Sequence, residues 1–80
     1  MKEKVLEEVM KKRSGVDFAA HPELRETPLL GKKIAMPVRE LVYAFYDLER
    51  ELGIQIPGEA VEEGRFDTFA HILEVIESAA

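Results

Sequence analysis

The sequence predicts an all-α fold: a four-helix bundle with a long loop between helices 1 and 2 and a short third helix. Three observations lead to it. Apolar residues recur at spacings of three and four in three separate segments, as on one face of a helix. Residues that favour helix starts and ends flank these segments. The length of 80 residues, with 46% hydrophobic and 34% charged residues, is typical of one small globular domain, residues 1–80.

The first helix is predicted over residues 1 to about 13. Its apolar face is formed by Val5, Leu6, Val9 and Met10. The last turn contains Lys11, Lys12 and Arg13, whose positive charges interact favourably with the helix dipole. The helix is predicted to end at Ser14-Gly15. Residues 14–36 show no sustained period but are too apolar for a free linker. We expect an ordered loop over the core, with one short helical turn near Pro22 to Arg25.

The strongest helical pattern runs from about Pro37 to Leu52. Proline suits the first position of a helix, and Gly53 suits the position just after its end. Five apolar residues recur at three and four along one face. This face is predicted to point into the core and consists of Val38, Leu41, Phe45, Leu48 and Leu52.

The last quarter of the chain predicts two more helices. After an extended connection ending at Pro57, residues 58–63 are predicted to form a brief acidic helix or turn. Asp67 is the predicted N-cap of a helix from Thr68 to about Ser78. Its apolar face consists of Phe69, Ile72, Leu73, Val75 and Ile76. The elements together predict an up-down bundle.

The composition excludes several kinds of site. Without cysteine there is no disulfide, thiolate zinc site or thiol nucleophile. No apolar run approaches the roughly 18 residues of a membrane span, and the first residues lack a signal-peptide pattern, so we expect a cytoplasmic protein. His21 and His71 have no metal-ligand spacing. We therefore expect no metal site. Because no nucleophile and base stand at usable spacing, we also expect no enzymatic activity.

The net charge of −5 is unevenly distributed. Residues 1–39 carry nine Lys/Arg against six Asp/Glu, whereas residues 40–80 carry two against ten. A C-terminal half with a net charge of −8 repels phosphate backbones and anionic lipids, so nucleic acid and membrane are not expected as partners. An acidic cluster in this half consists of Glu49, Glu51, Glu59, Glu62 and Glu63. It is interpreted either as a solvated face or as a surface that steers a basic protein partner.

Several local motifs are similar to those of acyl carrier proteins. The run from Leu48 to Pro57, Leu-Glu-Arg-Glu-Leu-Gly-Ile-Gln-Ile-Pro, resembles the end of that family's second helix and the connection after it. Phe66-Asp67-Thr68 resembles the family's cap of the last helix. The resemblance implies an acyl-carrier-like four-helix bundle. It also implies a serine, in an Asp-Ser-Leu motif at the start of helix 2, that carries 4′-phosphopantetheine.

That serine is absent. Alignment back from Ile56-Pro57 puts its position at Val38, which has no hydroxyl. The only serines, Ser14 and Ser78, lie outside an Asp-Ser-Leu context. We therefore expect no cofactor. The alternative is a genuine phosphopantetheine-bearing carrier protein modified at an unrecognised site.

Within that superfamily, the sequence is most similar to the acyl-carrier-related proteins of bacterial peptide maturation systems. The similarity rests on Leu29-Leu30-Gly31, residues 39–43 (Arg-Glu-Leu-Val-Tyr), residues 48–51 (Leu-Glu-Arg-Glu) and residues 63–68 (Glu-Gly-Arg-Phe-Asp-Thr). It implies a non-enzymatic binding or scaffold protein that serves a biosynthetic or peptide-modifying system.

The outer face of helix 2 is the candidate partner-binding surface. It is predicted to contain Arg39, Val42, Tyr43, Tyr46, Glu49 and Arg50. Val42 and Tyr46 are four residues apart and form an apolar strip, predicted to be flanked by Asp47 and Glu49. Two other interpretations stay open. The tyrosines cover the edge of the bundle with their hydroxyls in water, or the strip forms the interface of a homodimer.

Overall fold

A computed structural model describes residues 2–79 of the protein. Within this range, the regular secondary structure is helical. Within this range the elements are α1 (Lys2–Ser14), a 3-10 helix (Pro22–Leu24), α2 (Val38–Leu52), α3 (Gly58–Glu62) and α4 (Phe69–Ser78). The all-α prediction is confirmed for this part of the chain, as are the long first connection and the short third helix. Met1, predicted to belong to the first helix, lies outside the described residues. No helix in the described range is long and apolar enough to cross a membrane.

The ends of α2 follow from its proline and glycine. Pro37 precedes the helix with extended backbone angles (φ −63°, ψ 142°), and the helix begins one residue later than predicted. Gly53 takes a left-handed conformation (φ 62°), and its N–H donates to the Glu49 carbonyl. Because this conformation costs a side-chain-bearing residue free energy, glycine is the residue that ends the helix here, as predicted.

The N-cap of α4 is Thr68, so the prediction of Asp67 was wrong by one residue. The Thr68 hydroxyl accepts a hydrogen bond from the His71 N–H at 3.1 Å. The threonine is 6% exposed, whereas Asp67 lies at the surface. Aspartate and threonine are both favoured at an N-cap, so the sequence alone does not show which of two adjacent candidates caps the helix.

The long loop between α1 and α2 supplies a large share of the core. Phe18 and Leu29 are fully buried, and Ile34 and Met36 are nearly so. The Phe18 ring stacks on Phe69 of α4, with ring centroids 4.6 Å apart. The loop is therefore an ordered part of the fold, as its apolar content predicts.

Arg25 attaches this loop to α1 and α4. Its guanidinium forms ion pairs with Glu3 and, at 2.7 Å, with Glu7 on α1. The same group lies 4.6 Å from the Phe69 ring centroid, a cation–π contact. Its backbone carbonyl accepts the Ala70 N–H at 2.9 Å, which satisfies one free donor of the first turn of α4.

The buried face of α2 differs from the predicted face at both edges. Leu48 is fully buried, and three of its predicted neighbours are partly buried. Val38, predicted to point inward, is 63% exposed. Ala44 and Asp47 are buried instead, because α1 packs along this side of α2. A small alanine side chain allows close approach of the two helices, and the charge of Asp47 is compensated by Arg13 of α1.

Candidate functional site

A half-open apolar groove lies beside the N-terminal part of α2. Its volume is about 460 Å³, and two helices and two loops contribute to it. The lining residues are Pro28, Leu30, Val38, Leu41, Val42, Phe45, Tyr46, Val61, Gly64, Phe66 and Asp67. Asp67 is the one charged residue among them. The groove therefore presents apolar surface with a single carboxylate.

Exposed large apolar side chains are concentrated at this groove. In the described part of the chain they are Leu30, Val38, Val42, Tyr43, Tyr46 and Val61, each 45–63% exposed. All of them except Tyr43 line the groove. Single exposed apolar side chains are ordinary, but their concentration at one groove makes it a candidate interaction site.

The α2 side of the groove is a ridge with an aromatic floor behind it. Val38, Val42 and Tyr46 recur every four residues, so their side chains follow one another along the helix. Phe45 is partly buried behind this ridge. Its ring makes edge-on contacts with Tyr46, at 5.4 Å, and with Phe66, at 5.6 Å between centroids. Packing of these rings joins the floor of the groove to the core.

The first loop wall is positioned by Leu29, which is fully buried. Its N–H donates to the Asp67 carbonyl at 2.9 Å, and its carbonyl accepts the Met36 N–H at 2.9 Å. Two backbone hydrogen bonds and a buried side chain thus hold this residue. Pro28 and Leu30, on either side of it, are thereby placed at the groove.

The opposite wall comes from α3 and the turn after it. Ala60 is buried and anchors the helix, while Val61 points to the groove and is 45% exposed. Gly64 has φ 76° and donates its N–H to the Val61 carbonyl at 3.1 Å. A Cβ at Gly64 would meet nothing within 4 Å, so backbone conformation rather than space requires glycine here.

Asp67 supplies the charge of the groove. Its Oδ1 lies 2.6 Å from Nδ1 of His71, one turn along α4. Partial burial raises the pKa of Asp67, but the His71 hydrogen bond and backbone N–H groups outweigh it, and the pKa lies below its ordinary value. The carboxylate is therefore ionised at neutral pH.

Of the six residues predicted to bind a partner, the structure places two at the groove. Val42 and Tyr46 line the groove, and both are exposed as predicted. Val38, predicted to lie in the core, extends the same ridge toward the start of α2. The strip of two residues predicted from the sequence is thus a ridge of three.

Besides Glu49, three of the predicted residues lie off the groove. Arg39 is exposed to solvent. The Tyr43 ring lies beneath the guanidinium of Arg13, 5.1 Å from its centroid. Arg50 donates to Asp47 at 3.0 Å. These side chains occupy the outer face of α2 but belong to contacts with α1 or with their own helix.

The two acids predicted to flank the strip have internal partners. The carboxylate of Glu49 is partly buried and accepts the Ile56 N–H at 2.9 Å. Asp47 is 5% exposed and faces α1, so its predicted position beside the strip was wrong. Both acids stabilise the fold around α2.

Most of the groove escaped prediction because its walls come from loops and from a helix too short to show a period. Leu30 is adjacent to the buried Leu29, and Val61 stands among glutamates on a helix of five residues. Neither position belongs to a periodic pattern. The signal that was available is the presence of single large apolar residues in otherwise polar turns, which is weak evidence by itself.

The two histidines have separate carboxylate partners. His21 Nδ1 lies 3.2 Å from Glu23, far along the chain from the pair of His71 and Asp67. Within residues 2–79, no group of three or more His, Asp or Glu side chains is arranged to hold a metal ion.

Comparisons with known proteins give no match: no family model matches the chain, and no curated protein or solved structure matches it. The groove is therefore interpreted from its own geometry and chemistry.

Proposed function

We propose that this protein is a non-enzymatic, acyl-carrier-like binding or scaffold module that works without 4′-phosphopantetheine. In this proposal it serves a biosynthetic or peptide-modifying system and contacts a partner enzyme through α2. The observation that carries the proposal is the exposed apolar groove, whose ridge begins at Val38. This is the position where the sequence resemblance places the attachment serine.

The position of Val38 supports the absence of a covalent cargo. It is the first residue of α2, and its exposed side chain has only methyl groups to offer a transferase. The two serines are engaged elsewhere in intrahelical hydrogen bonds. Ser14 Oγ donates to the Met10 carbonyl at 2.6 Å, and Ser78 Oγ donates to the Glu74 carbonyl at 2.7 Å.

The lining chemistry favours binding over catalysis. The eleven groove residues offer one carboxylate, of Asp67, and one phenol hydroxyl, of Tyr46, and include no serine, threonine, histidine or lysine. Acid–base or nucleophilic catalysis needs such groups within hydrogen-bond reach of a substrate. A groove of this composition offers apolar contact, which is the main source of binding free energy at protein interfaces.

A mass measurement tests the proposal. The protein is incubated with coenzyme A and a broad-range phosphopantetheinyl transferase and is then weighed intact. We expect no change in mass. A matched variant carrying Pro37→Asp, Val38→Ser and Arg39→Leu restores the Asp-Ser-Leu motif at the start of α2, and we expect it to gain one phosphopantetheine.

Both results are decisive. A gain of mass by the natural sequence would show a carrier protein and overturn the proposal. Failure of the correctly folded triple variant to gain mass would show that the start of α2 does not correspond to the carrier attachment site. The acyl-carrier-like interpretation would then be lost.

A further inference from the structure

We infer that the groove binds a single amphipathic helix of a partner protein, with apolar anchors inserted beside α2 and lysine or arginine side chains facing Asp67 and α3. This inference rests on the proposed function, in which the protein is a binding module, and it specifies the chemistry of the partner.

The spacing of the ridge fits a helical occupant. Val38 and Tyr46, at the two ends of the ridge, are eight residues apart, which is about 12 Å along α2 at 1.5 Å per residue. Anchors at positions i, i+4 and i+7 of an incoming helix span about 10.5 Å by the same rise, so three anchors match the length of the ridge. Recognition of an amphipathic helix by an apolar groove uses this spacing.

The groove has two further sides against which anchors can pack. Leu30 on the loop and Val61 on α3 are both about half exposed, and Phe45 and Phe66 form the floor. An apolar side chain inserted there is contacted by several elements rather than by one flat surface. Contact with several elements removes more of an anchor's surface from water than contact with one flat surface would, which is a property of binding hot spots.

The charge of the groove selects among possible occupants. Its one charged lining residue is Asp67, and the His71 hydrogen bond uses only Oδ1 of that carboxylate. Glu62 of α3 is exposed next to Val61, whereas Glu59 and Glu63 line a separate hollow together with Arg65. No lysine or arginine lines the groove, so the carboxylate of a fatty acid would find no cation there. A basic helix is complementary to this surface.

A display selection tests the inference. The probe is a library of single helices on a fixed helical scaffold, with the surface positions of one helix randomised, selected against the full chain. We expect enriched helices to carry apolar residues at i, i+3 or i+4, and i+7, with lysine or arginine along one flank. Versions with glutamate in place of those cations are expected to bind more weakly at low salt.

Two tyrosines on α2 provide the matched variants. Tyr46 and Tyr43 are 60% and 45% exposed, but only Tyr46 lines the groove. We expect Tyr46→Ala to weaken binding of the selected helices about tenfold, and Tyr43→Ala to change it by less than about twofold. Asp67→Asn is expected to remove most of the advantage of lysine over glutamate on the flank of the helix. Circular dichroism verifies that each variant stays folded.

The inference would be overturned by selection of acidic helices, by absence of enrichment, or by binding that Tyr46→Ala leaves unchanged. Binding of dodecanol or dodecanoic acid where no helix binds would overturn it as well. A groove covered by a second copy of this chain would also overturn it. Sedimentation would show such a dimer as a concentration-dependent mass that Tyr46→Ala abolishes. The phosphopantetheine measurement is independent of this test. If the protein stays unmodified and binds no helix, only the present inference is refuted. If the protein is modified and binds helices, only the proposed absence of the cofactor is refuted.

Discussion

The guanidinium of Arg13, in the last turn of α1, donates from Nε to the carboxylate of Asp47 in the middle of α2 at 2.8 Å. Asp47 is nearly fully buried, and Arg50 donates to its other oxygen at 3.0 Å. The hydrogen bond from Arg13 is the largest influence on the pKa of Asp47 and, despite burial, holds it below the ordinary value. A charged pair thus joins the two helices that pack most extensively.

This pair predicts a loss of stability in acid. Because the folded-state pKa of Asp47 lies below its unfolded value of about 3.9, its contribution is complete above that pH and is lost as the pH falls through the folded pKa. We expect Asp47→Asn to lower the thermal midpoint at about pH 7 by about 5 °C and to reduce the loss of stability below about pH 4. Thermal unfolding followed by circular dichroism across pH measures both effects.

Glu77→Gln, at an exposed carboxyl of α4, is the control for removing a negative charge. It should leave the midpoint at neutral pH nearly unchanged. Equal effects of the two substitutions would show that the contact with Arg13 has no special weight.

Ala35 is predicted to destabilise the loop before α2. It has φ 53°, a left-handed conformation that costs an L-residue about 1–2 kcal/mol. Glycine relieves this strain but makes the unfolded chain more flexible, at a cost of about 0.4–1 kcal/mol. We therefore expect Ala35→Gly to stabilise the protein by about 0.5 kcal/mol in urea unfolding. Ala19→Gly, at an exposed residue without positive φ, should destabilise it.

The N-cap of α4 gives a third prediction. Thr68→Ala removes the acceptor of the His71 N–H and should cost about 1 kcal/mol in urea unfolding. Thr68→Ser keeps a hydroxyl at the same position and should cost less. If both substitutions cost the same, loss of the methyl group rather than of the cap would be the cause.

Glu49 is predicted to act on stability rather than on partner binding. Its Oε2 accepts the N–H of Ile56, a residue that is 4% exposed. Glu49→Ala leaves that donor without an acceptor and should cost about 1 kcal/mol, whereas Glu49→Gln keeps a carbonyl acceptor and should cost less. Neither change should weaken binding of the selected helices beyond about twofold. Weaker binding at unchanged stability would show that Glu49 is part of the partner surface.

The helices follow largely from local chemistry. Apolar spacing predicted α1, α2 and α4, and Gly53 ends α2 because the required left-handed backbone favours glycine. The partner surface was predicted less completely. Val42 and Tyr46 are visible in the period of α2, but Leu30 and Val61 contribute through segments without a period. Their positions depend on contacts such as the hydrogen bond between Leu29 and Asp67.

The sequence by itself determined the helical class, the order of the helices, the exposure of the Val42 and Tyr46 strip, and the absence of a hydroxyl at position 38. These properties depend on periodicity, on helix-end residues and on residue identity, all of which act over a few neighbours. Only the tertiary structure decided that Val38 is exposed, that Asp47 is buried against Arg13 and that an apolar groove lies beside α2. The physical reason is that a helical period fixes which residues share a face. The elements that cover that face are set by packing of distant segments.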